Sequence, residues 1–328
     1  NEAVTTPTGW WYYYNLTAAQ VSAKIKEKGA RIVDLQVESA NPSRFTVTMV
    51  KNTGVHKKTW WWYQGLTEGQ LKAKVAEKKA RIINLQSYNK GGRKFAAILA
   101  PNTGTNKKTW WFYYSLTSAQ LSQKIKDNNA RVIDINTTGS GSAKRFTVSM
   151  VKNTGSDKRS WWWYHGITTS QISQNLTKHR AMLFDIQRES NGRYSVIMTR
   201  AKKPMIWWWY YNATPTALEA IAAQNGARIE RISTWGKGSQ RRVSAILVNN
   251  ANSLTSRVGD ILRKGTVKFG GSSSIYLKQV DGAVLATLNA TKPHEPASSL
   301  KALHLYAAAK DIDVGLREAS DSIAWSSA

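Results

Sequence analysis

Short runs in which apolar residues bracket a polar one recur along this chain. Val33 and Leu35 flank Asp34, Ile83 and Leu85 flank Asn84, Ile133 and Ile135 flank Asp134, and Phe184 and Ile186 flank Asp185. A period of two is that of a half-buried β-strand. Apolar runs at 45–50, 146–151, 194–198 and 243–248 follow and complete hairpins. Ahead of each hairpin the period changes to that of a helix with a narrow apolar stripe: Val21 and Ile25, Leu71 and Val75, Leu121 and Ile125, Ile172 and Leu176. Four of these helices open on a capping box: Thr17 with Gln20, Thr67 with Gln70, Thr117 with Gln120, and Thr168 with Gln171. A fifth opens on Thr214 and Pro215, proline being tolerated at the first helical position.

An aromatic cluster precedes every helix and supplies a third strand. The clusters begin at Trp10, Trp60, Trp110, Trp161 and Trp207, at spacings of 50, 50, 51 and 46 residues, the range of a copied supersecondary unit. The fifth copy departs from the others at Glu230 and Arg231, which stand where the earlier strands carry an apolar and an acidic or amide residue. The expected fold is mostly β with one helix per unit (α+β): five Trp-rich repeats of about 50 residues over residues 1–250. A propeller-like ring is expected because closure leaves fewer strand edges exposed; an open curved array is the alternative.

The formal net charge of +27 widens the choice of partners. Lys57, Lys58, Lys107, Lys108, Lys158, Arg159, Lys202 and Lys203 crowd the linkers, and Arg31, Arg81, Arg131 and Arg228 recur in the strands. Cations interleaved with aromatics suit a polyanion or a glycan. Consecutive strand residues point to opposite faces, however, so about half of the rings are expected inside. There is no cysteine, which excludes disulfides and thiolate metal sites. The histidines (His56, His165, His179, His294, His304) lack ligand spacing, so neither metal nor cofactor is expected. No stretch approaches the roughly 20 apolar residues that cross a bilayer, and no cationic-apolar leader stands at Asn1; a soluble or already processed protein with no membrane association is expected. Acceptor motifs for N-glycosylation stand at Asn15, Asn136, Asn175, Asn212 and Asn289.

Beyond Val248 the repeat ends, and residues 251–328 read as the start of a second domain. Residues 251–264 suit a helix and 270–274 a loop; 274–288 suit a hairpin turning at Asp281 and Gly282. Ser298 then opens an amphipathic helix with Lys301 one turn on, on the same face. A lysine with a lowered pKa takes the proton of a serine hydroxyl and makes it a nucleophile, with the helix N-terminus favouring negative charge nearby. Ser298 is the candidate nucleophile and Lys301 its general base. The same spacing at Ser87 and Lys90 spans a turn, and at Ser149 and Lys152 a strand; neither puts both side chains on one helical face.

The hairpin at 275–282, followed by Pro296, Ala297, Ser298 and Lys301, resembles the opening of a serine β-lactamase-like domain. The Trp-Trp-Trp-Tyr repeats resemble those that precede such a domain in fungal polyglycine hydrolases, secreted endoproteases that cut glycine-rich linkers of plant chitinases; similar repeats occur in bacterial proteins. The resemblance implies a secreted, extracellular serine endopeptidase working through an acyl-enzyme at Ser298. Its partner would be a protein or peptide substrate such as a chitinase's glycine-rich linker, positioned by the repeats.

The family's second and third catalytic elements lie well downstream of the nucleophile. Ser320-Asp321-Ser322 stands too close to Ser298 to be the second; Lys51-Asn52-Thr53-Gly54 and Lys152-Asn153-Thr154-Gly155 are linker turns with an extra asparagine, not the third. The rest of the catalytic domain is therefore expected beyond Ala328, and the isolated chain is expected to be inactive. The alternative reading is a repeat-based binding protein for glycan or polyanion with a non-catalytic C-terminal piece.

Overall fold

A computed structural model describes residues 8–201, 206–250, 275–278 and 284–288, and the chain divides into two compact units, residues 1–252 and 253–328. The first is mostly β and consists of five repeats of strand, helix, strand, strand. Unit one is β1 (Trp10–Leu16), α1 (Ala18–Lys28), β2 (Ala30–Ala40) and β3 (Ser43–Lys51); unit two is β4 (Trp61–Leu66), α2 (Glu68–Glu77), β5 (Ala80–Asn89) and β6 (Arg93–Pro101). Unit three is β7 (Trp110–Leu116), α3 (Ser118–Asp127), β8 (Ala130–Thr138) and β9 (Arg145–Lys152); unit four is β10 (Trp161–Ile167), α4 (Thr169–His179), β11 (Met182–Arg188) and β12 (Tyr194–Thr199). Unit five is β13 (Trp207–Ala213), α5 (Pro215–Gln224), β14 (Ala227–Trp235) and β15 (Arg242–Asn249).

In every unit the last strand lies in the middle of a three-stranded antiparallel sheet, between the aromatic strand and the strand that follows the helix. The apolar run of that strand explains its place: Phe45, Val47 and Met49 point into the unit's own core, while Thr46 and Thr48 on the other face are equally sealed. The capping boxes form as the spacing predicts, with Gln20 Oε1 accepting from Thr17 N at 2.8 Å and Thr17 Oγ1 from Gln20 N at 3.2 Å in α1. Thr214 caps α5 ahead of Pro215. Val21, Leu71, Leu121, Ile172 and Leu218 are the fully buried residues by which each helix covers its sheet.

The aromatic strands bury both faces. Trp11 and Tyr13 pack into the core of unit one, whereas Trp60 and Trp62 of unit two pack onto that same core from behind. The pattern continues: Trp110 and Phe112 close the core of unit two, Trp161 and Trp163 that of unit three, and Trp207 and Trp209 that of unit four. The core of unit five is closed by Trp10 and Tyr12 of unit one. A consecutive aromatic run is what two-sided packing at a period of two requires. On the helix side, Lys24 lies 5.3 Å from the Tyr13 ring, Lys74 5.7 Å from Tyr63 and Lys124 5.4 Å from Tyr113.

Two bulges recur in each unit. In the aromatic strand the register slips after Tyr13, Tyr63, Tyr113, Tyr164 and Tyr210, and the slip contains Asn15, Gly65, Ser115, Gly166 or Asn212, all with positive φ. Glycine adopts that conformation freely, and asparagine is among the side chains that tolerate it best, which accounts for Asn15 and Asn212 there. The second bulge corrects the simple alternation of the following strand. Register slips between Ile32 and Asp34, Ile82 and Asn84, Val132 and Asp134, Leu183 and Asp185, and Ile229 and Arg231. Ile83 and Phe184, in the bulge, therefore pack on the preceding unit's core instead of sharing a face with Leu85 and Ile186.

In the second compact unit, β16 (Ile275–Lys278) and β17 (Val284–Leu288) pair antiparallel, with Ile275 opposite Leu288 and Lys278 opposite Val284. The helix expected over 251–264 lies outside the described residues, as does the turn at Asp281 and Gly282.

Candidate functional site

Ser298 and Lys301 lie outside the described residues. The two sequence decoys do not, and the fold occupies both serines. Ser87 on β5 shares a 2.7 Å hydrogen bond with Thr147 Oγ1, and Ser149 on β9 donates to the Ile82 carbonyl at 2.6 Å.

The polar residue that follows the bulge in each second strand converges on its counterparts. Asn84 Nδ2 donates to Asp34 Oδ1 at 3.0 Å and to Asp134 Oδ1 at 2.8 Å, joining units one, two and three. Leu85 N donates to Asp134 Oδ2 at 2.7 Å, and Ile135 N to Asp185 Oδ2 at 3.0 Å, which ties unit four to unit three. Arg231 of unit five approaches Asp185 Oδ1 with Nε at 3.8 Å and donates from Nη1 to the Val33 carbonyl at 2.8 Å. Ile232 N completes the set, donating to Asp34 Oδ2 at 2.8 Å across 198 residues of chain. Three carboxylates, an amide and a guanidinium thus form one belt. All five residues are buried, at 1–5% exposure, which leaves solvent no part in balancing their charges.

One guanidinium cannot neutralise three carboxylates. Burial pushes Asp34 up to about 7; the Asp185 charge adds to this, while Arg231 and the N–H donors of Ile232 and Leu35 oppose it. Asp134 is pushed well above the carboxylate range by burial and then by Asp185, and Asp185 itself is raised by burial. Asn84 Oδ1 finds no donor among the described residues and sits beside a void of about 20 Å³, room for one water molecule. Its carboxylates bind protons more tightly than exposed ones do, and the burial of all five residues suits the belt to cohesion rather than turnover.

A second layer lies two residues along the same strands. Gln36 holds both backbone groups of Thr234, Asn136 donates to Gln86 Oε1 at 2.9 Å, and Gln187 accepts from Thr137 N. These amides floor a cavity of about 220 Å³, walled also by Tyr88 and Thr138, at the hairpin end of the strands that follow the helices. Asn136, a glycosylation motif in the sequence, is buried here and committed to Gln86.

At the opposite, linker end a third recurrent contact joins successive units. Asn52 accepts from Lys58 N at 2.8 Å and donates to its carbonyl at 3.0 Å; Asn102 and Lys108 repeat the exchange, as do Asn153 and Arg159. Each partner stands two residues before the next tryptophan cluster. Asn250 makes the same exchange with Thr8, two residues before Trp10, at 3.1 and 2.9 Å. Unit four carries Ala201 at this position. The repeated Asn-Thr-Gly signals the first three clasps in the sequence. Asn250 lacks the Thr-Gly and so escapes that reading.

Compared with known proteins, the chain matches no family model and shows no significant similarity to a curated protein. Among the described residues no helix is long and apolar enough to cross a membrane, and no group of histidine and acidic residues is placed to hold a metal ion.

Proposed function

We propose that this chain belongs to a secreted serine hydrolase of the polyglycine-hydrolase type, an endopeptidase for glycine-rich linkers. Its five repeats close into a propeller-like ring that positions a macromolecular substrate. The observation that carries the hydrolase reading is the β16–β17 pair, which lies within a separate compact unit and immediately precedes the Ser298–Lys301 motif. In the proposed reaction Ser298 Oγ attacks the scissile carbonyl as its proton passes to Lys301 Nζ. The proton then goes to the departing amine as the peptide C–N bond breaks, and water hydrolyses the acyl-enzyme. On full-length native protein, a fluorophosphonate probe is expected to add its mass at Ser298. Labelling elsewhere, or none, removes the assignment.

Support for the ring comes from the fifth unit. Its core is closed by the first unit's aromatics, Arg231 donates to the Val33 carbonyl and Ile232 N to Asp34, and Asn250 repeats the inter-unit clasp on Thr8. Closure predicts that Asn250→Ala lowers unfolding stability by about 1–2 kcal/mol, as Asn102→Ala does, because each strands the same backbone groups. In an open array Asn250 would join nothing, so urea melts of Asn250→Ala superimposable on wild type would rule closure out.

A further inference from the structure

Four units place an arginine at one register of the strand after the helix. Arg31, Arg81, Arg131 and Arg228 stand opposite Val50, Ala100, Val151 and Val248, while unit four has Met182 opposite Thr199. The fold satisfies two of them: Arg81 Nη1 donates to the carbonyls of Pro101 and Asn106, each at 2.9 Å, and Arg228 pairs with Glu230. Arg31 and Arg131 are half-buried, their Nε atoms are sealed from solvent, and neither side chain makes a hydrogen bond among the described residues.

A desolvated cation without an acceptor is costly, and Met182 shows that an uncharged straight chain fits the same place. Burial holds both guanidinium groups below their ordinary value against the opposing charges of Glu230 near Arg31 and Asp157 near Arg131; Arg131 stands at about 10, with Arg159 adding to the lowering. Exposed Lys57, Lys58, Lys107 and Lys158 cluster in the linkers at the same end, and none of them forms an ion pair among the described residues.

We infer that Arg31 and Arg131 are recognition groups for the oxyanions of an acidic polysaccharide that docks on the linker end of the repeat domain. Guanidinium groups bind sulfate and carboxylate oxygens through paired N–H donors, which is the chemistry these two lack. A nucleic acid is disfavoured because the aromatic rings at the linker end pack into cores, while the exposed rings of Tyr14 and Tyr211 stand at the other end of their strands. The inference stands apart from the hydrolase reading, since binding needs no turnover.

Dextran sulfate is the probe, titrated into the full chain and into the double variant R31M/R131M, whose methionines copy unit four. Wild type is expected to bind, with affinity falling steeply as salt rises. The double variant should keep the wild-type melting temperature and bind at least about tenfold more weakly. Equal affinity of the two proteins, or no binding at all, overturns the proposal. Two further arms fix the source of the oxyanion. Stabilisation by sodium sulfate at matched ionic strength without polymer binding would make the site one for a free ion, and tighter binding of single-stranded DNA of equal charge would make it a nucleic-acid surface. Either would overturn the polysaccharide.

Discussion

Replacing Arg231 by methionine is expected to lower the stability of the repeat domain by about 3–5 kcal/mol at pH 8. Arg231 is the one cation of the buried belt, with Asp185 and Asp34 as its principal charged neighbours and the Val33 carbonyl as its acceptor. Removing it leaves carboxylates uncompensated in a buried site with room for no more than a single water molecule, and orphans a carbonyl. It also removes one contact of unit five with unit one and one with unit four, so the loss should appear as lower cooperativity of unfolding as well as a lower midpoint. The carboxylates can relieve the deficit by taking up protons. At pH 5 the same substitution is therefore expected to cost visibly less than at pH 8. Urea unfolding of both proteins at both pH values measures this. A loss under about 1 kcal/mol at pH 8 would mean the belt is not held by its guanidinium.

Much of this organisation was legible in the sequence because each repeat states it anew. The stripe of Leu71 and Val75, the capping Thr67 with Gln70 and the alternation around Asn84 each specify a local element, and local signals suffice for strand, helix and hairpin. The strand order was not legible. Nothing local says that Phe95 and Ile98 belong to a central strand; that follows from their sealed environment on both faces. Nor does alternation disclose the bulge at Ile83, which turns that side chain toward another unit's core. The belt had a signal, a polar residue between apolar ones at a 50-residue period, but its meaning depends on contacts across 198 residues, such as Ile232 with Asp34. The arginines were visible as a recurrent basic position. Which of them lack hydrogen-bond partners is a property of packing, since Arg81 and Arg131 follow alanine alike, yet only Arg81 reaches the carbonyls of its neighbouring strand and linker.

The belt should also give the protein an unusual pH response, with greater stability at pH 5 than at pH 8. Asp34 is held near 7 in the folded state against an ordinary value of about 4, so across this interval the native protein retains a proton that the unfolded chain has released. Stability from such a group is complete below the unfolded value and is lost as pH rises through the folded one. A difference of that size between the folded and unfolded proton affinities corresponds to a change on the order of 4 kcal/mol between pH 4 and pH 8. Asp134, raised well above its ordinary value by burial and then by Asp185, adds to the decline in the same sense. Two groups act in the opposite sense. His165, held low by burial and Lys144, and His179, held low by burial and Lys178, favour the folded state as they lose protons near neutrality. The exposed Glu27 and Glu77, drawn to about 2 by hydrogen bonds from neighbouring lysines, are in the main charged in both states from pH 5 upward and act against the trend only as pH falls toward 4. Asp34→Asn separates the contributions. It removes the titrating group while keeping an acceptor for Ile232 N, so its stability should vary much less between pH 5 and pH 8 than that of wild type. Wild-type stability that climbs over that interval, or an Asp34→Asn profile as steep as the parent's, would show that the belt carboxylates ionise normally and that the repeats are held together by their aromatic packing alone.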